Sequence, residues 1–430
     1  MKIAAPILHR PWYDFFAGAA GRGSGLVADC GLAADIHCLS NCENTSWKAI
    51  PIFGGVPARV NSPILIHSTL SVVLLMTLAY VAHFLECPRR HPSSENYVRT
   101  RLATVKLEAI LMTVIAEVVV ALTVAYGIAI LILLSLQLVR SVPVSAVWLL
   151  SSVLFATPLL IKSNAVVARS LFFFPCVALW FKLTDYAREI RLHGPYGIDR
   201  WIWVLVPFPA IVSGPPRRIA GASFNLTYLW QALSGVMVLL IGFWLLRVLH
   251  DVDALRQNFL LDHCLKFVVF VFTVESLSFG LQGLERLAGF DTTLPIHQAF
   301  LAKTVGEFWT RYNTRVHAWI FANVYKPLGG HKSPIPSLFV AFFVSAIIHE
   351  LAFGVATSRF DGYQFAFFMA QAPAVVLSHR LDRWLARISC CQNIVSRVVT
   401  IAWFLVSSSL FFRGVDRVFP VFYASQPWLP

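Results

Sequence analysis

The run VAFFVSAIIHELAFG sets His349 and Glu350 side by side in the middle of a strongly apolar stretch. An ionisable side chain at membrane depth costs roughly 2.5–3.5 kcal/mol on insertion scales, so each such group is a functional candidate. An imidazole takes up and returns a proton near neutral pH, the property a general base needs. Adjacent residues on a helix point about 100° apart, so the two cannot face one small pocket together. One acts and the other supports. A core histidine bonded to a carbonyl across a helix pair is the competing explanation for His349. Glu117 and Glu275 also fall in apolar runs, where pairing with a neighbouring helix explains them without chemistry.

Upstream lies GEFWTRYNTRVHAWIFANVYKPLGG, residues 306–330, in which Arg311, Asn313, Arg315 and His317 sit among aromatic side chains. Asn313 precedes His349 by 36 positions, interrupted by Pro327, Gly329, Gly330, Pro334 and Pro336. These breakers let the chain turn back, so both groups can face one cavity. Across 300–332, Phe308, Trp309, Tyr312, Trp319, Ile320 and Phe321 alternate with Lys303, Arg311, Arg315 and Lys326. That pattern is expected of an amphipathic helix lying at a membrane interface.

The elements that must carry these residues are membrane spans. Of 430 residues, 57% are hydrophobic and 13% charged, against about 25% charged in soluble domains. Apolar stretches near the required length of about 20 residues recur along the chain. They fall at 63–85, 103–137, 142–161, 165–183, 200–214, 227–249, 264–284, 336–357, 361–378 and 394–413. The second is long enough for two short helices around Gly127, which gives about ten or eleven spans in an all-α transmembrane bundle around a central cavity or tunnel. The segment Pro207 to Pro216 breaks its span with four prolines and a glycine, and broken backbone at that depth requires protein or a water-filled cavity around it.

Residues 1–60 hold no spanning run and are read as an extramembrane or interfacial arm, with 61–430 as the transmembrane domain. The formal charge of +13 comes largely from loops such as Arg89, Arg90, Arg99 and Arg101, or Arg380, Arg383 and Arg387. Such loops orient spans and meet lipid headgroups, so nucleic acid is not expected as a partner. The eight cysteines show no paired CxxC spacing, and no metal is expected.

Phe308, Trp309, Tyr312 and Asn313, then His317 and Trp319, then Tyr325, Lys326 and Pro327, then Ser345, Ala346, His349 and Glu350 together resemble the membrane-bound O-acyltransferase (MBOAT) family. Its members pair an aromatic-basic FW-x-x-W-N motif with a later His in a hydrophobic helix. The order and spacing look most like the branch of diacylglycerol and sterol acyltransferases and related wax synthases. Tyr312 stands where many relatives carry Trp. The close resemblance covers about 300–360, and the N-terminal arm matches nothing in it.

The resemblance implies acyl transfer from an acyl-CoA thioester to a hydroxyl acceptor, a lipid or long-chain alcohol foremost. Polysaccharide, sterol or protein acceptors stay open. His349 would be the general base, and Asn313 would donate to the developing oxyanion or orient the acceptor. Trp309, Arg311, Tyr312, Arg315, Lys326 and Glu350 would contact substrate, the cations through coenzyme A phosphates or through lipid headgroups. A covalent route through Ser345 is a minor alternative. Acyl-CoA is a co-substrate here, with no bound cofactor expected. The implied location is a multi-pass membrane protein, in the endoplasmic reticulum of a eukaryote or the inner membrane of a bacterium. The rival from another class is a transporter using the intramembrane carboxylates Glu117 and Glu275. Neither oligomeric state nor the role of residues 1–60 is legible.

Overall fold

Backbone polar groups in hydrocarbon must be satisfied within their own segment, and long apolar runs therefore fold as helices. The computed structural model describes residues 94–423 apart from 140–141, 163, 195–196, 207–217, 220–224 and 389–390. The arm at 1–60, the span at 63–85, the arginines at 89 and 90 and the Pro207 to Pro216 segment lie outside the described residues. All of these described residues belong to one compact unit.

Among the described residues, eleven α-helices of seven residues or more organise it. They are α1 (Ser94–Leu138), α2 (Val144–Ser151, continued as a 3-10 turn over Ser152–Leu160), α3 (Val166–His193), α4 (Ile198–Leu205), α5 (Leu226–His250) and α6 (Phe259–Leu287). There follow α7 (Val305–Arg311), α8 (Thr314–Ile320), α9 (Pro334–Thr357), α10 (Tyr363–Ile388) and α11 (Gln392–Asp416). Among the described residues β pairing is limited to an isolated bridge between Arg218 and Phe290.

Among the described residues, six helices are long and apolar enough to cross a membrane: α1 through its Leu111–Leu138 portion, α3, α5, α6, α9 and α11. Two expectations change. The 103–137 stretch is one continuous helix, not two, and runs through Gly127. An interior glycine costs about 1 kcal/mol relative to alanine, whereas each backbone group left unpaired in hydrocarbon costs several. The amphipathic stretch at 300–332 is not a single helix either. It breaks at Tyr312 and Asn313 into α7 and α8, then passes through a π turn at Phe321–Tyr325 and a 3-10 turn at Gly330–Lys332.

Two packing relations position the candidate residues. Helix α9 uses the face bearing Ile348 and Val355 against a core built from α1, α2 and α3. Its face bearing Phe342 and Ala346 meets Trp309 of α7 and Phe367 and Phe368 of α10. His349 follows Phe342 by seven residues and Ala346 by three, so it lies on this second face. Helices α5 and α6 form a close pair, since a Cβ on Gly235 would stand 2.3 Å from the Gly280 Cα. Small residues let helices approach without a hydrophobic driving force between them, as membrane helices require.

Candidate active site

Helix α7 starts where its sequence says a helix should. Thr304 caps it, its hydroxyl accepting from the Glu307 backbone N–H at 3.1 Å, and the Glu307 carboxylate reaches back to the Lys303 N–H at 2.7 Å. This is a close variant of the Thr-x-x-Glu capping box. The break after α7 is set by Asn313, whose φ of 52° is left-handed, a conformation that asparagine tolerates better than most residues. Its side-chain oxygen accepts from the Val316 N–H at 3.4 Å and so caps α8. The loop before α7 is tied to the same corner: Thr314 N–H donates to the Pro295 carbonyl at 2.8 Å, and its hydroxyl to Leu294 at 3.0 Å.

Helix α8 is anchored on both sides. Trp319 donates its indole N–H to the Phe181 carbonyl at 3.1 Å and stacks on Trp148 with centroids 5.3 Å apart. Arg315 is buried, with Nη1 2.6 Å from Glu285 Oε1, a second bond from Nη2 to Oε2, and a third to the Thr293 carbonyl at 2.9 Å. Its guanidinium is thereby committed to α6 and the loop behind it. Arg311 pairs with Glu307 and donates to the Gln298 carbonyl at 3.2 Å. Lys326 is exposed beyond the π turn. Arg311 and Arg315 are thus both bonded to carboxylates, whereas Lys326 faces outward.

His349 Nδ1 lies 2.8 Å from the Ser345 carbonyl oxygen. A carbonyl only accepts, so Nδ1 carries the proton and Nε2 holds the lone pair. The carbonyl belongs to the same helix, one turn back, rather than to a neighbouring helix. The imidazole stacks on Phe368 with centroids 3.8 Å apart. Trp309 packs on the same Phe368 at 5.6 Å and meets Phe342, Phe367 and Phe404 at 5.6, 6.5 and 6.1 Å. One aromatic ring therefore joins the Trp309 motif to His349.

Glu350, about 100° round the helix, does different work. Its Oε1 accepts from the backbone N–H groups of Asp361 and Gly362 at 3.0 and 2.8 Å, and Oε2 accepts from Phe365 at 3.1 Å. The carboxylate thus holds the first turn of α10, where the helix dipole favours negative charge. Phe368 lies three residues further along that helix. Tyr312 stacks on Phe308 at 5.2 Å, and burial pushes its phenol up to about 12, so the hydroxyl stays protonated at neutral pH. Desolvation lowers half-buried His317 to about 4.

Glu117 meets Lys162, its Oε1 3.2 Å from Nζ. Glu275 accepts the Ala299 N–H at 3.1 Å. Sequence reasoning missed further buried charges. Lys182 donates to the carbonyls of Trp203 and Val206 at the end of α4, and Lys266 pairs with Asp262 at 2.9 Å with both side chains fully buried. The signal was present, because Lys182 and Lys266 both fall inside stretches already read as spans.

With this geometry in place, the likeness to known proteins falls on the same segment. Residues 217–411 match MBOAT, the membrane-bound O-acyltransferase family. That segment, a little under half of the chain, is similar to the family. The chain is 39% identical over 84 residues to Diacylglycerol O-acyltransferase 1 of Corylus americana, covering 19% of this chain and 15% of that protein. It is 33% identical over 103 residues to Probable sterol O-acyltransferase 2 of Schizosaccharomyces pombe, covering 23% of this chain and 22% of that protein. Diacylglycerol O-acyltransferase 1 of Arabidopsis thaliana is 36% identical over 82 residues, 19% of this chain and 16% of the relative. The alignments span about a sixth to a fifth of these relatives' own length. The matched segment contains Asn313, His349 and each residue bonded to them above.

Proposed function

We propose that this protein is a membrane-embedded O-acyltransferase that moves an acyl group from an acyl-CoA thioester to the hydroxyl of a lipidic acceptor. The observation that carries the reading is His349, in a span, with its Nδ1 proton engaged by Ser345 and its Nε2 lone pair left for chemistry, beside the aromatic corner of the MBOAT motif. Support for a lipidic acceptor comes from that corner, which is built of Trp309, Phe342, Phe367 and Phe368, and from relatives named for diacylglycerol and sterol acylation.

In this mechanism His349 Nε2 takes the hydroxyl proton as the acceptor oxygen attacks the thioester carbon. The same proton then passes to the departing thiolate of coenzyme A. The Asn313 amide nitrogen, free of the cap made by its oxygen, orients the acceptor. Lys326, exposed at the end of the motif, attracts the phosphates of coenzyme A or of lipid headgroups.

The test incubates purified protein in detergent with labelled acyl-CoA and a membrane extract, with the labelled product identified by mass spectrometry. His349→Ala is expected to lower turnover by 10²–10³-fold or more, since a general base contributes about 10²–10⁴-fold. The variant should stay folded, because the exchange makes the span more apolar. Full activity in His349→Ala at matched protein would remove this mechanism, and no acyl transfer by the unaltered protein would remove the function.

A further inference from the structure

We propose that the indole N–H of Trp309 is the donor that receives the acyl carbonyl oxygen as it becomes an oxyanion. The inference rests on the acyltransferase reading and assigns a further catalytic residue within it. Trp309 Nε1 is buried and has no hydrogen-bond partner. Four other tryptophans donate: Trp180 to the Trp148 carbonyl at 3.2 Å, Trp201 to the Tyr186 hydroxyl at 2.9 Å, Trp319 to Phe181 at 3.1 Å and Trp403 to Gln371 at 2.9 Å. Buried polar groups without partners are rare, and each calls for an explanation.

The position of this donor supplies one. Its ring and the His349 imidazole pack on the same Phe368, at 5.6 and 3.8 Å between centroids. The base and the ring that bears the orphan donor thus both contact one phenyl ring. The surroundings are apolar, with Phe308, Phe342, Phe367 and Phe404 also against the indole. An acyl chain suits such a cage, and a donor kept away from water acts on developing charge far more strongly than one in solvent. Asn313 is less suited to this task, because its oxygen fixes it to the start of α8.

The acceptor oxygen forms a bond to the thioester carbon while His349 Nε2 takes its proton, and the carbonyl π pair moves onto oxygen, where Trp309 N–H donates to it. The pair then returns, the C–S bond breaks, and the sulfur leaves with the proton from His349. No oxidant, reductant or metal enters.

Trp309→Phe keeps an aromatic ring in the cage and deletes the N–H. Its kcat is expected to fall by about 10²–10³-fold, with KM for acyl-CoA changed less than about threefold, the pattern of an interaction made only in the transition state. Melting temperature in detergent should not fall in proportion, since removing an unpaired buried donor relieves a desolvation cost. A second replacement, β-(3-benzothienyl)alanine at the same position, keeps the bicyclic outline with sulfur in place of N–H, and it should show the same kcat loss even if the smaller phenyl ring loosens the fold. A kcat within about threefold of the unaltered protein for the benzothienyl variant would overturn the inference while leaving the acyltransferase reading in place. Failure of the unaltered protein to transfer acyl groups would remove both.

Discussion

His349 and Glu350 are neighbours in sequence with separate duties. The carbonyl of Ser345 fixes the His349 tautomer, while the Glu350 carboxylate is spent on three backbone N–H groups. Asn313 has two duties at once, a left-handed φ and a helix cap. Asn313→Ala should lose about 1–2 kcal/mol from strain and another ~1 kcal/mol from the cap. Asn313→Gly removes the strain and should recover about 1 kcal/mol or more over alanine in a detergent melt. If acyl transfer stays low in the glycine variant despite that recovery, the amide itself contributes to turnover; recovery together with stability would make Asn313 structural. His317 gives a pH signature. Its native value of about 4 lies below the ordinary 6.5, so between those limits the unfolded chain binds a proton that the folded chain refuses. Stability should be full above about pH 6.5 and fall as pH drops toward 4, and His317→Gln should flatten that part of a pH-dependent melt.

At the scale of elements, α9 and α10 act together. Glu350 on α9 holds the start of α10, and α10 returns Phe368 to lie against His349. Glu350→Gln removes charge from three hydrogen bonds and should destabilise by about 1–3 kcal/mol. It should also lower kcat by a smaller factor than His349→Ala, because it moves the ring under the base without touching the proton. Equal losses in the two variants would mean that Glu350 takes part in the chemistry directly. The continuity of α1 and the break between α7 and α8 follow from opposite balances. In α1 each broken hydrogen bond is costly and the glycine penalty small. At 312–313 the freed backbone groups find partners in the 293–298 loop and the Asn313 side chain.

Over the whole molecule, the buried Arg315–Glu285 pair ties the motif corner to α6, 30 positions away in sequence. Removing one partner leaves an uncompensated buried charge, so Glu285→Ala or Arg315→Ala should each cost about 3–5 kcal/mol, while Glu285→Leu with Arg315→Met should cost less than either. A double-mutant cycle on melting in detergent measures this, and additive losses would show the pair to be uncoupled. The helical membrane class, the family resemblance and the candidacy of His349 were legible in local sequence, because hydrophobic run length and the intramembrane cost of ionisable groups are local properties. Tertiary structure decided which cations were available. Arg311 and Arg315 stand in the sequence as candidates for coenzyme A phosphates or lipid headgroups; Arg311 is paired with Glu307 one turn back in its own helix, while the Glu285 carboxylate that holds Arg315 comes from α6, 30 positions away, which no local window of sequence records. It likewise decided that Trp309 and His349 meet on Phe368, since the approach of α7, α9 and α10 depends on packing between distant segments and not on any pattern within one of them.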